Sequence, residues 1–309
     1  MTALRFGVHL PQIDFGDQAF HVDRLVEYTE TAVALGFDAI AANDHLLFSA
    51  PWLDGPTALT AVVACSADAA LFTTVSNPVL RGPMALAKTL TSIDVLSGGR
   101  LVAAIAPGSS AADYRSAGIP FEQRWPRFDE AVAATRAILG GRDFTGRYYT
   151  VDAEPRAEPV RGDGPPIWIG SWGSPAGLRR VARYADGWLA SAFHSSTATI
   201  AAGRDRLDDL LLAEGRDPAD VPLAVATLWF HIADADDAAR ILRERVAPAL
   251  AQPADALAER VAFGPPQRVA QRLAGLHAAG AGRVFVWPVA DEIDQLRRFA
   301  TDVVPLLTG

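Results

Sequence analysis

SGGRLVAAIAPGSSAADYRSAGIPFEQRWPRFDEAV, residues 97–132, decides how the rest of the chain is read. Gly98 and Gly99 stop a helix. Leu-Val-Ala-Ala-Ile-Ala, residues 101–106, is a short apolar run bounded by turn residues, the pattern of a strand buried on both faces. Pro107, Gly108, Ser109 and Ser110 leave that strand as a loop of small residues. Phe128, Val132, Thr135 and Leu139 then recur at helical spacing and mark an amphipathic helix. Helix, buried strand, small-residue loop and helix make one unit of an α/β barrel, where the loops after the strands carry the chemistry. A small ligand is therefore expected to touch residues 106–110.

The same unit repeats outward in both directions. Arg5 to His9 reads as strand one, and Val22, Leu25, Val26, Thr29, Ala32 and Val33 mark the first helix, stopped by Gly36. Residues 37–42 form strand two, ending in Asn43, Asp44 and His45, and a helix begins near Pro56. Residues 71–75 form strand three, and a helix runs from Pro83 to Leu96. After Gly140 and Gly141 the stretch RYYTVDAEPRAEPV, residues 147–160, alternates and is interrupted by Pro155 and Pro159, so a small hairpin is expected as an insertion before strand five. Ile-Trp-Ile-Gly, residues 167–170, is strand five, and Ser174 with Pro175 opens its helix as N-cap and first-turn proline. Residues 187–190, 223–232 and 284–286 supply strands six to eight, while residues 250–264 show no clear pattern. Eight strands alternating with helices over 309 residues fit a single-domain α/β fold, a (β/α)8 TIM barrel with an insertion before strand 5. A doubly wound open sheet would place a Gly-x-Gly-x-x-Gly turn after strand one, and HLPQIDFGD has none.

Composition narrows the class. Half of the residues are apolar, which supports a substantial core. The net charge of −8 without a basic cluster argues against nucleic acid and against an anionic membrane surface. The single cysteine, Cys65, rules out an internal disulfide and reads as a small buried side chain in a reducing compartment. The start MTALRFGVHLPQ lacks a basic stretch followed by a long apolar one, so no signal peptide is expected and a cytoplasmic protein is. Residues 57–75 are broken by Ser66 and Asp68 and read as helix plus strand rather than a membrane span.

A barrel gathers its strand ends on one face. They bring together His9, Asp44, His45, several hydroxyls and the tryptophans Trp172 and Trp287, a set suited to a flat aromatic ligand with His45 available for proton transfer. His45 reads equally as a loop histidine beside a capping aspartate, and His9 as a histidine packed inside the barrel. Trp52 and Trp172 read as core or lid packing. No His, Asp, Glu or Cys pair has ligand spacing, so no metal is expected. There is no Gly-x-Ser-x-Gly elbow and no phosphate-binding Gly-x-x-x-x-Gly-Lys loop. The turn Gly170, Ser171, Trp172, Gly173 feeds a helix N-terminus that either holds a phosphate or merely connects strand to helix. Arg124, Arg127, Asp129 and Glu130 read as a solvated helix face with a local ion pair.

Seven stretches, in order and at these distances, carry a resemblance: FGVHLPQ (6–12), NDHLL (43–47), KTLTSIDVLSGGRL (88–101), ADYRSAGIPFEQRWPRFDEAV (112–132), GRYYTV (146–151), PPIWIGSWGSPAGLRRVARYADGW (165–188) and GPPQRVAQRLAGLHAAG (264–280). Over nearly its whole length the chain resembles the bacterial-luciferase-like flavin and deazaflavin oxidoreductases. The resemblance implies a cofactor over the C-terminal ends of the strands and a cis peptide joining Thr74 and Val75 behind its central ring. It implies that Asp44 and His45 lie beside that ring, that Ala106, Pro107, Gly108 and Ser110 follow the cofactor's side chain, and that Gly170, Ser171, Trp172 and Gly173 receive its phosphate. His9, Trp52 and His194 are the candidates to face the substrate. Residues 109–132 look most like the branch that uses the deazaflavin coenzyme F420, which implies hydride transfer to or from a small organic substrate. The flavin mononucleotide (FMN) branch, with reduced flavin and oxygen in a two-component monooxygenase, shares barrel and turn, and a non-catalytic flavin-binding or deazaflavin-binding barrel is the third reading. Sugar-phosphate dehydrogenases of the deazaflavin branch carry a catalytic glutamate where this chain has Pro107. Proline moves no proton, so that activity is not expected and the proton chemistry falls to His45, with His9 behind it. Relatives commonly pair through barrel helices, so a homodimer is expected, with a separate reductase as a further partner. Substrate choice is assigned to residues 12–17, 46–53, 191–197 and 140–163.

Overall fold

A computed structural model describes residues 3–16, 19–152 and 158–307. Asp17 of the first expected substrate loop and Pro155 of the expected insertion lie outside the described residues. Eight parallel strands close on themselves: β1 (Arg5–His9), β2 (Ala39–Ala42), β3 (Ala70–Ser76), β4 (Leu101–Ile105), β5 (Ile167–Gly170), β6 (Gly187–Ser191), β7 (Leu223–Ile232) and β8 (Arg283–Pro288). Each pairs with its sequence neighbour, β6 pairs with β7, and β8 returns to β1 with Phe6 opposite Val284. The structure is the (β/α)8 barrel that the strand pattern predicts.

The barrel interior shows why these residue types occupy the strands. Large rings from three strands, Phe72, Trp168 and Phe285, fill it, and small neighbours make room: Ala39, Ala41, Ala104, Ala224 and Ala226. Two positions have no room for any side chain. A Cβ on Gly7 would lie 2.4 Å from the Phe285 ring, and one on Gly187 would lie 2.2 Å from Trp168. Outside the strands, helices α1 (Val22–Ala34), α2 (Gly55–Ala61), α3 (Pro83–Leu96), α4 (Arg124–Leu139), α5 (Pro175–Tyr184), α6 (Thr197–Ala213), α7 (Pro266–Ala278) and α8 (Glu292–Arg298) turn their apolar sides inward. Phe128, Val132, Thr135 and Leu139 of α4 are all buried, as their spacing requires. Ser174 caps α5, its hydroxyl accepting from the Gly177 N–H. No described helix is long and apolar enough to cross a membrane.

Four expectations are corrected. The unpatterned stretch 250–264 holds a short helix, Ala254–Ala258, and a ninth strand, Ala262–Gly264, that pairs in parallel with the far half of β7. Three residues are too few to show a period, so the strand left no trace in the pattern. Cys65 is half-buried in a single 3-10 turn, Val63–Cys65, not enclosed in a helix. The closing helix α8 gives way at Phe299 to a π-helical turn, Phe299–Val303, within the expected run. The polar face of α4 is not simply solvated. Glu130 accepts from the backbone N–H groups of Arg147, Tyr148 and Tyr149 at 2.6–3.0 Å, which ties down the inserted hairpin of Phe144–Thr145 and Thr150–Val151. Asp129 takes a two-pronged bond from Arg180 of α5.

Candidate active site

The C-terminal ends of the strands open into a cavity of about 760 Å³. Asp44, His45, Trp52, Thr74, Val75, Ala106, Pro107, Gly108, Ser110, Gly170, Ser171, Trp172 and His194 all line it, so the predicted site residues converge on one space. Two do not reach it. Gly173 closes the turn from behind, donating its N–H to Ser171 Oγ with φ at +90°. His9 lies beneath, fully buried, its ring stacked on Trp287 at 4.3 Å and 9°.

The loop that carries His45, residues 43–54, is cinched at its base. Buried Gln12 donates to the carbonyls of Asn43 and Leu53 and accepts from the Asn43 N–H at 2.8 Å. Arg81 bridges the same two ends through Asp44 and Asp54. Each Asp44 oxygen accepts from Arg81 in this bridge, so Asp44 anchors the loop. Between these anchors, Asp113 Oδ1 accepts from the Leu47 N–H at 3.1 Å, and Asp113 Oδ2 lies 4.0 Å from His45 Nδ1. Burial lowers the His45 pKa below its usual 6.5, and the attraction of Asp113 and Asp44 only partly offsets this. The imidazole is neutral at neutral pH and available as a base.

The floor is built by β3, β1 and β7. The Thr74–Val75 peptide is cis, where the resemblance implied it. On β7 the register slips, with Val284 opposite Val225 but Val286 opposite Leu228, and Thr227 in this bulge has φ +60°. That conformation turns the Thr227 N–H to His9 Nε2 at 3.1 Å, while His9 Nδ1 lies 3.4 Å from Thr74 Oγ1. Pro107 lines the wall, its carbonyl accepting from Asn77 Nδ2 and Tyr114 OH, each at 2.6 Å.

The walls differ in character. Over β4 and β5 stand the guanidinium groups of Arg124 and Arg180 with the turn at Ser171 and Trp172. Here glycines let the turn pack directly against its neighbours. A Cβ on Gly177 would meet Ser171 Oγ at 2.2 Å, and one on Gly170 would meet Val75 at 2.8 Å. Arg180 lies over the Trp125 ring at 4.5 Å, and Arg124 over Phe121 at 4.0 Å. Over the other arc, β7, β8, β1 and β2, the wall is aromatic, with His45, Phe48, Trp52 and Trp229 in edge contact with one another or with Trp287. His194 stacks on Trp172 at 4.2 Å and 7° between the two walls, and burial with the Arg260 charge lowers its pKa to about 4.

Arg124, Trp125, Arg180 and Trp229 line the cavity and were not expected there from the sequence. Arg124 and Arg180 occupy helix positions that look like any solvated face. A tryptophan among charged residues, Trp125 between Arg124 and Arg127, was the readable signal, as was the ten-residue apolar run of β7 that carries Trp229.

A family model described as luciferase-like monooxygenase matches residues 4–283. The chain belongs to that family. Among relatives of the luciferase-like family, an F420-dependent hydroxymycolic acid dehydrogenase from Mycobacterium tuberculosis is 29% identical over 322 residues, covering 94% of this chain and 86% of the relative. A 5,10-methylenetetrahydromethanopterin reductase from Methanolobus tindarius is 27% identical over 247 residues, covering 78% of this chain and 72% of its own. Among solved structures, an F420-dependent secondary alcohol dehydrogenase in complex with an F420-acetone adduct superposes with a TM-score of 0.83 at 18% identity, over 99% of both chains, which shows the shared luciferase-like barrel.

Proposed function

We propose that this protein is an oxidoreductase that uses coenzyme F420 to reduce or oxidise a small organic substrate, with His45 as the residue that holds the proton. One observation carries the reading: a single cavity joins a wall with the Arg124 guanidinium and the Ser171 turn to an aromatic wall with a neutral histidine. The F420-dependent name of the hydroxymycolic acid dehydrogenase relative supports it. The residues fit the coenzyme. The turn of Ser171 and Trp172 leads into the start of α5, where backbone N–H groups can receive a phosphate, and Arg124 adds positive charge on the same side. Thr74, Val75, Ala106 and Gly108 offer the small surfaces that a flat ring system needs.

When bound, the deazaflavin supplies a hydride acceptor or donor and leaves oxygen alone. The chain supplies the rest. His45 takes a proton from a hydroxyl oxygen in one direction and returns it to a carbonyl oxygen in the other. Asp113, facing its Nδ1, favours the protonated imidazole at the moment it forms. Trp172 and His194 flank the mouth. The test is titration of the purified protein with F420 and with FMN, followed by fluorescence, alongside the Gly177→Ala and His45→Ala variants. F420 is expected to bind, Gly177→Ala to weaken that binding, and His45→Ala to bind F420 normally while losing about 100-fold or more in turnover. Tight binding of FMN with none of F420 overturns the reading in favour of the flavin branch. Binding of neither overturns it altogether.

A further inference from the structure

A second cleft, with a volume of about 260 Å³, opens between α6, α7 and the short helix Ala254–Ala258. It shares no lining residue with the cavity at the strand ends. Two arginines dominate it. Arg268 and Arg272 stand four residues apart on α7 and so share one face of that helix, where like charges repel. Neither forms an ion pair among the described residues. Glu259, an exposed carboxylate of the lining, attracts Arg272 from beyond ion-pair distance, and burial lowers the Arg272 pKa despite that attraction. The charge on α7 is therefore only partly compensated.

Both guanidinium groups are steadied and still open. Arg272 donates from Nη2 to the Ala192 carbonyl at 3.3 Å, its one hydrogen bond among the described residues; its Nε is enclosed, and Nη1 keeps its donors free. The Arg268 stem runs over Gly264, where a Cβ would lie 3.1 Å from Arg268 Cδ, and the residue is exposed. Thr197 and Gln271 bring to the lining a hydroxyl and an amide that hold no side-chain hydrogen bond among the described residues. Gly275 continues the same wall, although glycine is unfavourable inside a helix. A Cβ there would press on Thr197 at 3.3 Å, so the glycine lets α6 come close.

We infer that this cleft is a second ligand site, separate from the cavity, which takes the phosphate group of a small phosphate monoester between Arg268 and Arg272. A doubly charged oxyanion relieves the repulsion between the two guanidinium groups and accepts charge-assisted hydrogen bonds from each. The cleft has room for a short organic group besides the phosphate, and Ala258, Val261 and Ala262 give that group an apolar wall. The inference is independent of the redox reading, because Arg124 and the Ser171 turn lie in the other cavity.

The test is isothermal titration of the purified protein and of Arg124→Gln with glycerol 2-phosphate, inorganic phosphate and glycerol. The ester is expected to bind both proteins alike, with a dissociation constant of about 1 mM or below, and glycerol to bind neither. Arg268→Gln and Arg272→Gln are each expected to weaken the ester about tenfold or more, with urea midpoints like the parent's, which separates a lost site from a disturbed fold. Glu259→Gln removes a competing negative charge and is expected to tighten binding at least about threefold. No binding at about 20 mM ester overturns the proposal. Binding that Arg124→Gln abolishes, while Arg268→Gln and Arg272→Gln keep it, overturns it by placing the phosphate in the cavity. Binding of inorganic phosphate without the ester overturns it in favour of a simple ion site. F420 titration reads the cavity alone, so either reading can fail while the other stands.

Discussion

His9 gives the sharpest physical test of the floor. Its ring is fully buried, flat on Trp287 and edge-on to Phe285, and its Nε2 must keep a lone pair to accept from the Thr227 N–H. Burial lowers its pKa from 6.5 to about 3. The unfolded chain takes up a proton at this position as pH falls through 6.5, while the folded protein refuses it until about pH 3. The contribution to stability is therefore whole above pH 6.5 and is lost between there and pH 3. The loss runs at about 1.4 kcal/mol per pH unit, so it reaches about 3 kcal/mol at about pH 4.5. His9→Gln keeps an acceptor for Thr227 and removes the titration. Every carboxylate and every other histidine is common to both proteins and cancels. Urea unfolding at about pH 8 and about pH 4.5 should show the parent losing about 3 kcal/mol more than the variant over that interval. A difference under about 1 kcal/mol refutes the argument that a neutral, buried imidazole supports the Thr227 bulge.

Three other outcomes follow from the same geometry. Arg81→Leu strands the Asp44 carboxylate, whose side chain is 2% exposed, and should cost about 3–5 kcal/mol in urea unfolding; Asp44→Asn added to it should restore part of that. Glu130→Ala removes three backbone acceptor contacts from the inserted hairpin, so hydrogen exchange at Tyr148 and Tyr149 should accelerate at least about tenfold while the barrel amides keep their protection. With neutral His45 as the base in the proposed reaction, turnover in the alcohol-oxidising direction should fall on the acid side with a midpoint below 6.5, and the His45→Ala variant should lose that limb.

Much of the barrel was legible because buried parallel strands are written as apolar runs and their helices as a period of 3.6. Gly36, Gly98, Gly99 and the Ser174–Pro175 pair punctuated those elements where the structure ends or begins them. Positions at strand ends were legible for the same reason, and His45, Pro107 and Ser171 stand on the cavity wall as their places in the order required. What stayed hidden depends on direction rather than on residue type. Arg124 and Arg180 look like solvated helix residues, and only the fold brings both against the Trp125 ring on the cavity wall. Trp229 sits in an unbroken apolar run, and nothing in that run announces that a bulge at Thr227 shifts the register before it. Gln12 and Arg81 act across distances of 31 and 37 residues, which no local pattern can carry.

These hidden contacts share a task, which is to hold a mobile kind of structure still. Loops after barrel strands are free to vary because the framework does not need them, and for that reason a loop histidine needs its own restraints to serve as a base. Gln12 and Arg81 close the ends of the loop that bears His45, and Asp113 pins its middle through the Leu47 N–H. Beneath it, His9 joins Thr227 to Thr74, and both threonines line the cavity that His9 itself does not reach. A change at His9 therefore acts on the floor from below, through the two side chains it spaces. This separates His45 and His9 by role. In the proposed reaction His45 exchanges a proton with the ligand, whereas His9 stays unprotonated, because the hydrogen bond that shapes the floor needs the lone pair a proton would occupy.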